Sequence, residues 1–162
     1  MLQPSGKVTP FLWFESQAEE AANFYVSLFP NSKLLDVSHW ADGSPYPAGA
    51  VMSATFRIDG CEIIAFNGGT HFKLNESASL FVNCEDQAEV DRYWDALVAD
   101  GGSPSQCGWL KDRFGLSWQI IPKALGRLLG DPDPGRAGRA MKAMMGMVKL
   151  DVAELERAAA MN

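Results

Sequence analysis

Cysteine, histidine and basic charge are all scarce in this 162-residue chain. The three cysteines, Cys61, Cys84 and Cys107, stand far apart, and no CxxC pair occurs. An odd, widely spaced set excludes a disulfide framework and a thiolate zinc site; it points to reduced thiols and so to a cytoplasmic protein. His39 and His71 are the only histidines. Fourteen basic against twenty acidic side chains leave a net charge of −6. Such a chain lacks the basic footprint that nucleic-acid phosphates require, so no nucleic-acid partner is expected. No apolar run reaches membrane-spanning length, so no membrane partner is expected either. The opening stretch, with Pro4, Ser5, Gly6 and Lys7, lacks the basic-then-apolar pattern of a signal peptide. What is present is an ordinary globular composition, 47% hydrophobic and 21% charged, which excludes disorder and low complexity. The length suits one domain or two small fused units.

A repeat decides between those two. Phe11-Leu12-Trp13-Phe14-Glu15-Ser16-Gln17-Ala18-Glu19 returns, seventy residues on, as Phe81-Val82-Asn83-Cys84-Glu85-Asp86-Gln87-Ala88-Glu89. Each copy is a strand-like run followed by a helix start. Ser16 with Glu19, and Asp86 with Glu89, match the capping box, in which a short polar side chain and an acid three residues on satisfy orphan amides. The first helix is expected from about Gln17 to Phe29, with Ala21, Phe24, Tyr25 and Leu28 on its apolar face. The second is expected from Gln87 to Ala99, with Val90, Tyr93, Trp94 and Leu97 as the matching stripe. Gly101 and Gly102 stop it.

Strand signals follow each helix. Lys33 to Trp40 is one strand, Val51 to Ile58 alternates, Asp59-Gly60 is a two-residue hairpin turn, and Cys61 to Asn67 returns. In the second copy, Pro104 to Gly108, Trp109 to Asp112 and Leu116 to Pro122 fit the same order. Both copies therefore read β-α-β-β-β. The tail is different. Lys123 to Leu129 reads as a short helix. Asp133 with Pro134 starts another that carries a Met141, Met144, Met145 and Val148 stripe, expected to pack on the barrel or on another subunit. Asp151 with Glu154 starts a last one. The expected divisions are 1–70, 71–122 and 123–162.

Two such units resemble the vicinal-oxygen-chelate superfamily of glyoxalase I, bleomycin-resistance proteins and extradiol dioxygenases. The more specific likeness is to its PhnB-like branch, often labelled demethylubiquinone methyltransferase-like. It is carried by Phe11-Leu12-Trp13-Phe14 leading into Ala18-Glu19-Glu20-Ala21 and Phe24-Tyr25, by Phe66-Asn67-Gly68-Gly69, and by Trp109 to Gly115 with Trp118-Gln119-Ile120-Ile121-Pro122, over residues 8–122. The resemblance implies an α+β fold: two tandem βαβββ units forming an incompletely closed eight-stranded barrel around a cavity, plus C-terminal helices. It also implies a homodimer. In such a fold Leu12, Phe14, Leu80, Val82, Cys84 and Trp118 meet helices, while Trp13 and Asn83 look inward.

The superfamily's metal ligands come from the first and last strands of each unit. Here the matching places hold Thr9 or Pro10, the stretch Ser77 to Ser79, Ile63 or Ile64, and Gln119. Glu62 and Gln119 remain as the only metal candidates, too few for a hard divalent cation, so no metal is expected. Nor does Asn67-Gly68-Gly69 complete a nucleotide loop, so no cofactor is expected. His71 can be a general base or a loop histidine. Cys107 can be a nucleophile or a small buried hydrophobe. Arg57 can meet an anion or extend to solvent.

The reading is a small-molecule-binding protein whose metal-free cavity takes a planar or apolar ligand, with Trp13, Asn67, Asn83, Trp109 and Gln119 as its ligand-binding residues. Two alternatives stay open. One is an enzyme of the same superfamily, a lyase, isomerase or dioxygenase with a divergent site or a metal-free one using His71 or Cys107. The other is a methyltransferase, as the branch label has it.

Overall fold

The structure is a computed structural model, and it describes residues 3–161. The chain divides into two compact units, 1–74 and 75–162. Unit 1 contains β1 (Phe11–Phe14), α1 (Ala18–Leu28), β2 (Lys33–His39), β3 (Val51–Ile58) and β4 (Cys61–Asn67). Unit 2 contains β5 (Ser79–Cys84), α2 (Gln87–Val98), β6 (Ser103–Pro104), β7 (Trp109–Lys111), β8 (Ser117–Pro122), α3 (Lys123–Leu129), α4 (Pro134–Met145) and α5 (Val152–Ala160). Among the described residues there are two four-stranded sheets, ordered β1-β4-β3-β2 and β5-β8-β7-β6, and no closed barrel. The orders are the same, and so is the pattern: the first strand pairs parallel to the last, and the hairpin strands pair antiparallel.

In unit 1 the register fixes two faces. Phe11 lies opposite Ile64 and Trp13 opposite Phe66, so these share one side of the sheet with Glu62, Ser53, Thr55 and Arg57. Leu12, Phe14, Ala65, Ile63, Ala54, Phe56 and Ile58 share the other. That second side is buried with Ala18, Ala21, Ala22 and Tyr25 of α1, and Tyr25 sets its ring 6.0 Å from that of Phe56. The small alanines let the helix approach the sheet closely, and removal of this apolar surface from water is the main stabilising term.

The start of α1 departs from the expected capping box. Gln17 is the N-cap and makes no side-chain cap bond. The orphan amide of Ala18 donates instead to Asn67 Oδ1 at 2.8 Å, while Asn67 Nδ2 donates to the Val51 carbonyl at 3.1 Å. A side chain from the end of β4 thus caps a helix forty-nine residues earlier. The expected hairpin turn is present: Asp59 (φ 43°) and Gly60 (φ 82°) both adopt the left-handed conformation that a two-residue turn requires.

Unit 2 follows its sequence signals more closely at the helix. Asp86 accepts from the Glu89 amide at 3.0 Å, and the Glu89 carboxylate returns to the Glu85 amide at 2.8 Å. Val90, Tyr93, Trp94 and Leu97 of α2 are buried. So are Leu110, Trp118 and Ile120 of the sheet. Cys84 is buried too, and burial, with the Glu89 charge adding to it, pushes its thiol up to about 12. Asp112 organises the β7–β8 turn. Its Oδ1 accepts from the Phe114 and Leu116 amides at 2.9 and 3.1 Å, and its Oδ2 accepts from Trp118 Nε1 at 2.9 Å.

The tail is an integral part of unit 2. Ile121, Leu125, Leu128, Ala140, Leu150, Leu155 and Ala159 form one buried cluster, against which Met144 and Met147 pack. The Cys107 and Gly108 amides donate to the Met147 and Val148 carbonyls, both at 2.8 Å. Gln87 accepts from the Val152 amide and donates to the Leu150 carbonyl. The methionine stripe is split. Met144 turns to the core, whereas Met141, Met145 and Val148 are exposed in the chain. The Asp133 cap and Pro134 stand as expected, with Asp133 accepting from the Gly135 amide at 2.8 Å.

Replacing Asp112 by alanine removes the charged acceptor of an indole N–H and two amides at a buried turn. We predict a loss of about 3 kcal/mol, since bonds to a charged acceptor contribute roughly 1.5–3 kcal/mol each and buried donors left unpaired cost 1–3 kcal/mol. Urea unfolding of Asp112→Ala against the parent reads this as a lower midpoint at unchanged slope; an unchanged midpoint contradicts it.

Candidate functional site

The side of the unit 1 sheet that faces away from α1 carries a connected aromatic surface. Phe66 is its hub: its ring lies 5.4 Å from Phe11, 5.3 Å from Trp13 and 5.9 Å from Trp40. Trp13 continues edge-on to Phe72 at 5.1 Å, and Phe72 to His71 at 4.5 Å. Trp40 stacks on Tyr46 at 4.5 Å with an interplanar angle of 21°. Phe11 and Phe72 are more than half exposed, at 52% and 58%. Aromatic rings of this kind offer flat, polarisable surface at little conformational cost.

A glycine turn frames the surface. Trp13 Nε1 donates to the Gly69 carbonyl at 2.9 Å, and the Tyr46 hydroxyl donates to the Gly68 carbonyl at 2.8 Å. A Cβ at Gly68 would sit 2.2 Å from the Trp13 ring, so only glycine fits beneath it. The Gly68 and Gly69 amides donate back to the Phe14 and Glu15 carbonyls at 2.9 and 3.1 Å. The two glycine amides are therefore engaged within the unit and are not free to cradle a phosphate.

Asn67 differs from its expected ligand-binding role. It lies on the helix side of the sheet, nearly buried, with its amide spent on Ala18 and Val51. His71 is an exposed residue against the Phe72 ring. Arg57 is neither free for an anion nor loose in solvent: it is paired with Glu62. Glu62 also accepts from the Ser5 amide at 2.8 Å. Trp40, Tyr46 and Phe72 were not singled out by the sequence. Phe66 was recoverable from it, because it lies opposite Trp13 and shares parity along β4 with the side that faces away from α1.

The corresponding side of unit 2 is more polar. Phe81, at 59% exposure, lies opposite Gln119, Gln119 is also opposite Trp109, and Asn83 is exposed. Gln119 Nε2 donates to Ser79 Oγ at 3.0 Å. Trp118, of opposite parity, is buried on the helix side. Cys107 takes a left-handed φ of 58° beside the tail. The two cations near it in sequence are engaged elsewhere, Lys111 with Glu76 and Arg113 over the Phe114 ring.

A divalent cation does not fit these donors. Ile64 occupies in unit 1 the place that Gln119 holds in unit 2, since each lies opposite the equivalent phenylalanine, Phe11 or Phe81. Glu62 is committed to Arg57 and Ser5. Among the described residues no three His, Cys, Asp or Glu side chains come together. An amide and a committed carboxylate are too few hard ligands to strip a cation of its water.

The Arg57 guanidinium and the Ser5 amide hold the Glu62 carboxyl down at about 2, from an ordinary 4.5. A depressed folded value stabilises above the unfolded one and is lost as pH falls towards the folded one. We predict that Glu62→Gln melts below the parent at pH 7, and that the gap closes between pH 4.5 and 2. A gap independent of pH contradicts this.

Comparison with known proteins gives a consistent picture. A PhnB protein of Bacillus cereus with a solved structure is 34% identical, with 72% of this chain and 99% of that one covered at a TM-score of 0.66. The protein PA1353 of Pseudomonas aeruginosa is 24% identical, covering 73% and 98% at 0.59. The fosfomycin resistance protein FosX of Listeria monocytogenes, solved with Mn(II) and sulfate, is 18% identical, covering 72% and 90% at 0.50, and shares the fold. No functionally curated protein matches. The family model described as 3-demethylubiquinone-9 3-methyltransferase matches residues 6–121, so the tail from 122 onward lies outside it. On the two βαβββ units and this match, the chain belongs to the PhnB-like 3-demethylubiquinone-9 3-methyltransferase family, within the vicinal-oxygen-chelate superfamily.

Proposed function

We propose that this protein binds a small planar molecule on the aromatic surface of unit 1. The observation that carries the reading is the Phe66 hub, with Phe11, Trp13 and Trp40 around it within 6 Å. A flat apolar ligand gains by covering such rings, because stacking adds to the removal of apolar area from water. Polar backbone groups at the rim, the Gly68 and Gly69 carbonyls, set orientation. In unit 2, Trp109, Asn83 and Gln119 form a second, more polar ligand-facing surface. Binding of this kind needs no catalytic group. His71 against Phe72 is placed to touch a ligand at the edge of the surface, as donor or acceptor. The protein acts as a cytoplasmic homodimer.

The family's name favours a second reading, methyl transfer. The glycine turn argues against it here, because its amides are bonded to Phe14 and Glu15 and the helix that a methyl-donor cradle needs does not follow.

Tryptophan fluorescence tests the first reading with a panel of planar aromatics (indole, acridine and menadione). We expect saturable quenching by at least one, weakened at least tenfold by Phe66→Ala at unchanged circular dichroism. No quenching by any member, or quenching that Phe66→Ala leaves alone, overturns it. Titration calorimetry with S-adenosylmethionine is expected to give no heat; saturable heat favours methyl transfer.

A further inference from the structure

The loop from Ala41 to Gly49 reads as small and polar with one exception. Asp42, Gly43, Pro45, Pro47, Ala48 and Gly49 are exposed, and Tyr46, its one large side chain, is half-buried. The loop is closed at its base, where the Trp40 amide donates to Ala50 at 2.8 Å and the Gly49 amide to Trp40 at 2.9 Å. Gly43 and Gly49 take positive φ values of 85° and 81°, a left-handed conformation that glycine enters without strain. Ser44 Oγ donates to the Tyr46 carbonyl at 2.8 Å and accepts from its amide at 3.3 Å, which stiffens the tip.

The tip ends on the aromatic surface. The Tyr46 ring covers Trp40 in a stacked geometry, at 4.5 Å and 21°, while the other ring contacts around Phe66 and Trp13 are tilted or edge-on. The Tyr46 hydroxyl takes the Gly68 carbonyl, next in the chain to the carbonyl that holds Trp13. A flat ring bearing a hydroxyl donor thus already occupies the stacking place that a flat ligand would use.

We propose that Tyr46 is an internal stand-in for the ligand: its loop is a lid, its ring fills the slot on Trp40, and a planar phenol displaces it by stacking there and donating to the Gly68 carbonyl. The ligand class is then narrower than a planar apolar molecule. It is an aromatic carrying one hydroxyl donor in the ring plane, because a buried carbonyl left without a donor is costly and discriminates against analogues that lack one. The displaced lid means that the ligand's affinity is reduced by the fraction of molecules in which Tyr46 is seated, and that emptying the slot raises it. The ligand part of this inference rests on the binding reading above; the latch does not.

Hydrogen exchange and binding separate the two. In Tyr46→Phe, which keeps the ring and removes the hydroxyl, amides of the Ala41–Gly49 loop are expected to exchange about fivefold faster, the effect of one net hydrogen bond. In Tyr46→Ala, 2-naphthol is expected to bind about tenfold more tightly than in the parent, and 2-methoxynaphthalene, which lacks the donor, at least tenfold more weakly than 2-naphthol. Unchanged exchange in Tyr46→Phe overturns the latch. Equal or weaker 2-naphthol binding in Tyr46→Ala, or no preference over 2-methoxynaphthalene, overturns the stand-in and leaves the binding reading to the panel above. Absence of 2-naphthol binding in parent and variants alike overturns both the stand-in and the binding reading, while the exchange result still decides the latch.

Discussion

Each unit depends on one pairing: its first strand lies parallel to its last, β1 with β4 and β5 with β8. A parallel pair needs a crossover, and here the helix and two further strands supply the chain in between. Once the pairing is set, the two-residue period of a strand does the sorting. Residues of one parity go to the helix and make a core. Residues of the other parity face away from that helix; some, such as Ile64 and Ile121, are still buried, and the chemistry of the exposed ones is free to vary. The two units use that freedom differently. Unit 1 sets phenylalanine and tryptophan there, and unit 2 sets Asn83, Gln119 and Ser79 around Phe81 and Trp109.

Several residues that mark the family serve the scaffold and not the ligand. Asn67 caps α1 from across the sheet, Gly68 makes room for Trp13, and Asp112 ties a turn to the Trp118 indole. Their indirect contribution is to fix the open side. Trp13 is held by a carbonyl that Gly69 presents, and Tyr46 by the one before it. The surface that this builds is largely aromatic, with carbonyl acceptors at its rim. In the binding reading, such a surface suits a planar molecule that brings its own donor to the rim.

Local signals were legible where the physics is local. The Asp59-Gly60 turn, the Val51–Ile58 alternation and the Asp86 cap all depend on neighbours within a few residues, and the repeat shows the same local signals twice. The cap of α1 was not, because Ser16 satisfies the motif while Asn67, forty-nine residues away from Ala18, supplies the bond. Nothing in sequence spacing reports which of two acceptors reaches an amide. The same limit hid Tyr46 and Trp40, which lie in and beside a loop whose composition signals only a turn. It also gave Asn67 a ligand role, since a polar residue on a strand next to glycines looks available until its parity and partners are known. The β7 and β8 strands were readable, but the strand expected from Pro104 to Gly108 is only Ser103–Pro104, too short for a periodic signal, and the chain turns left-handed at Cys107 and Gly108 instead of extending.

In the proposed reading, a planar ligand settles on the unit 1 aromatic surface, at Trp13 and Trp40 and away from the helix-facing cores. The five tryptophan indole N–H resonances of nitrogen-15-labelled protein report this directly during titration with a planar aromatic. The account predicts that the Trp13 and Trp40 signals move together and saturably, while those of Trp94 and Trp118, buried in unit 2, stay in place. Movement confined to Trp94 and Trp118, or five unmoved signals at millimolar ligand, contradicts it.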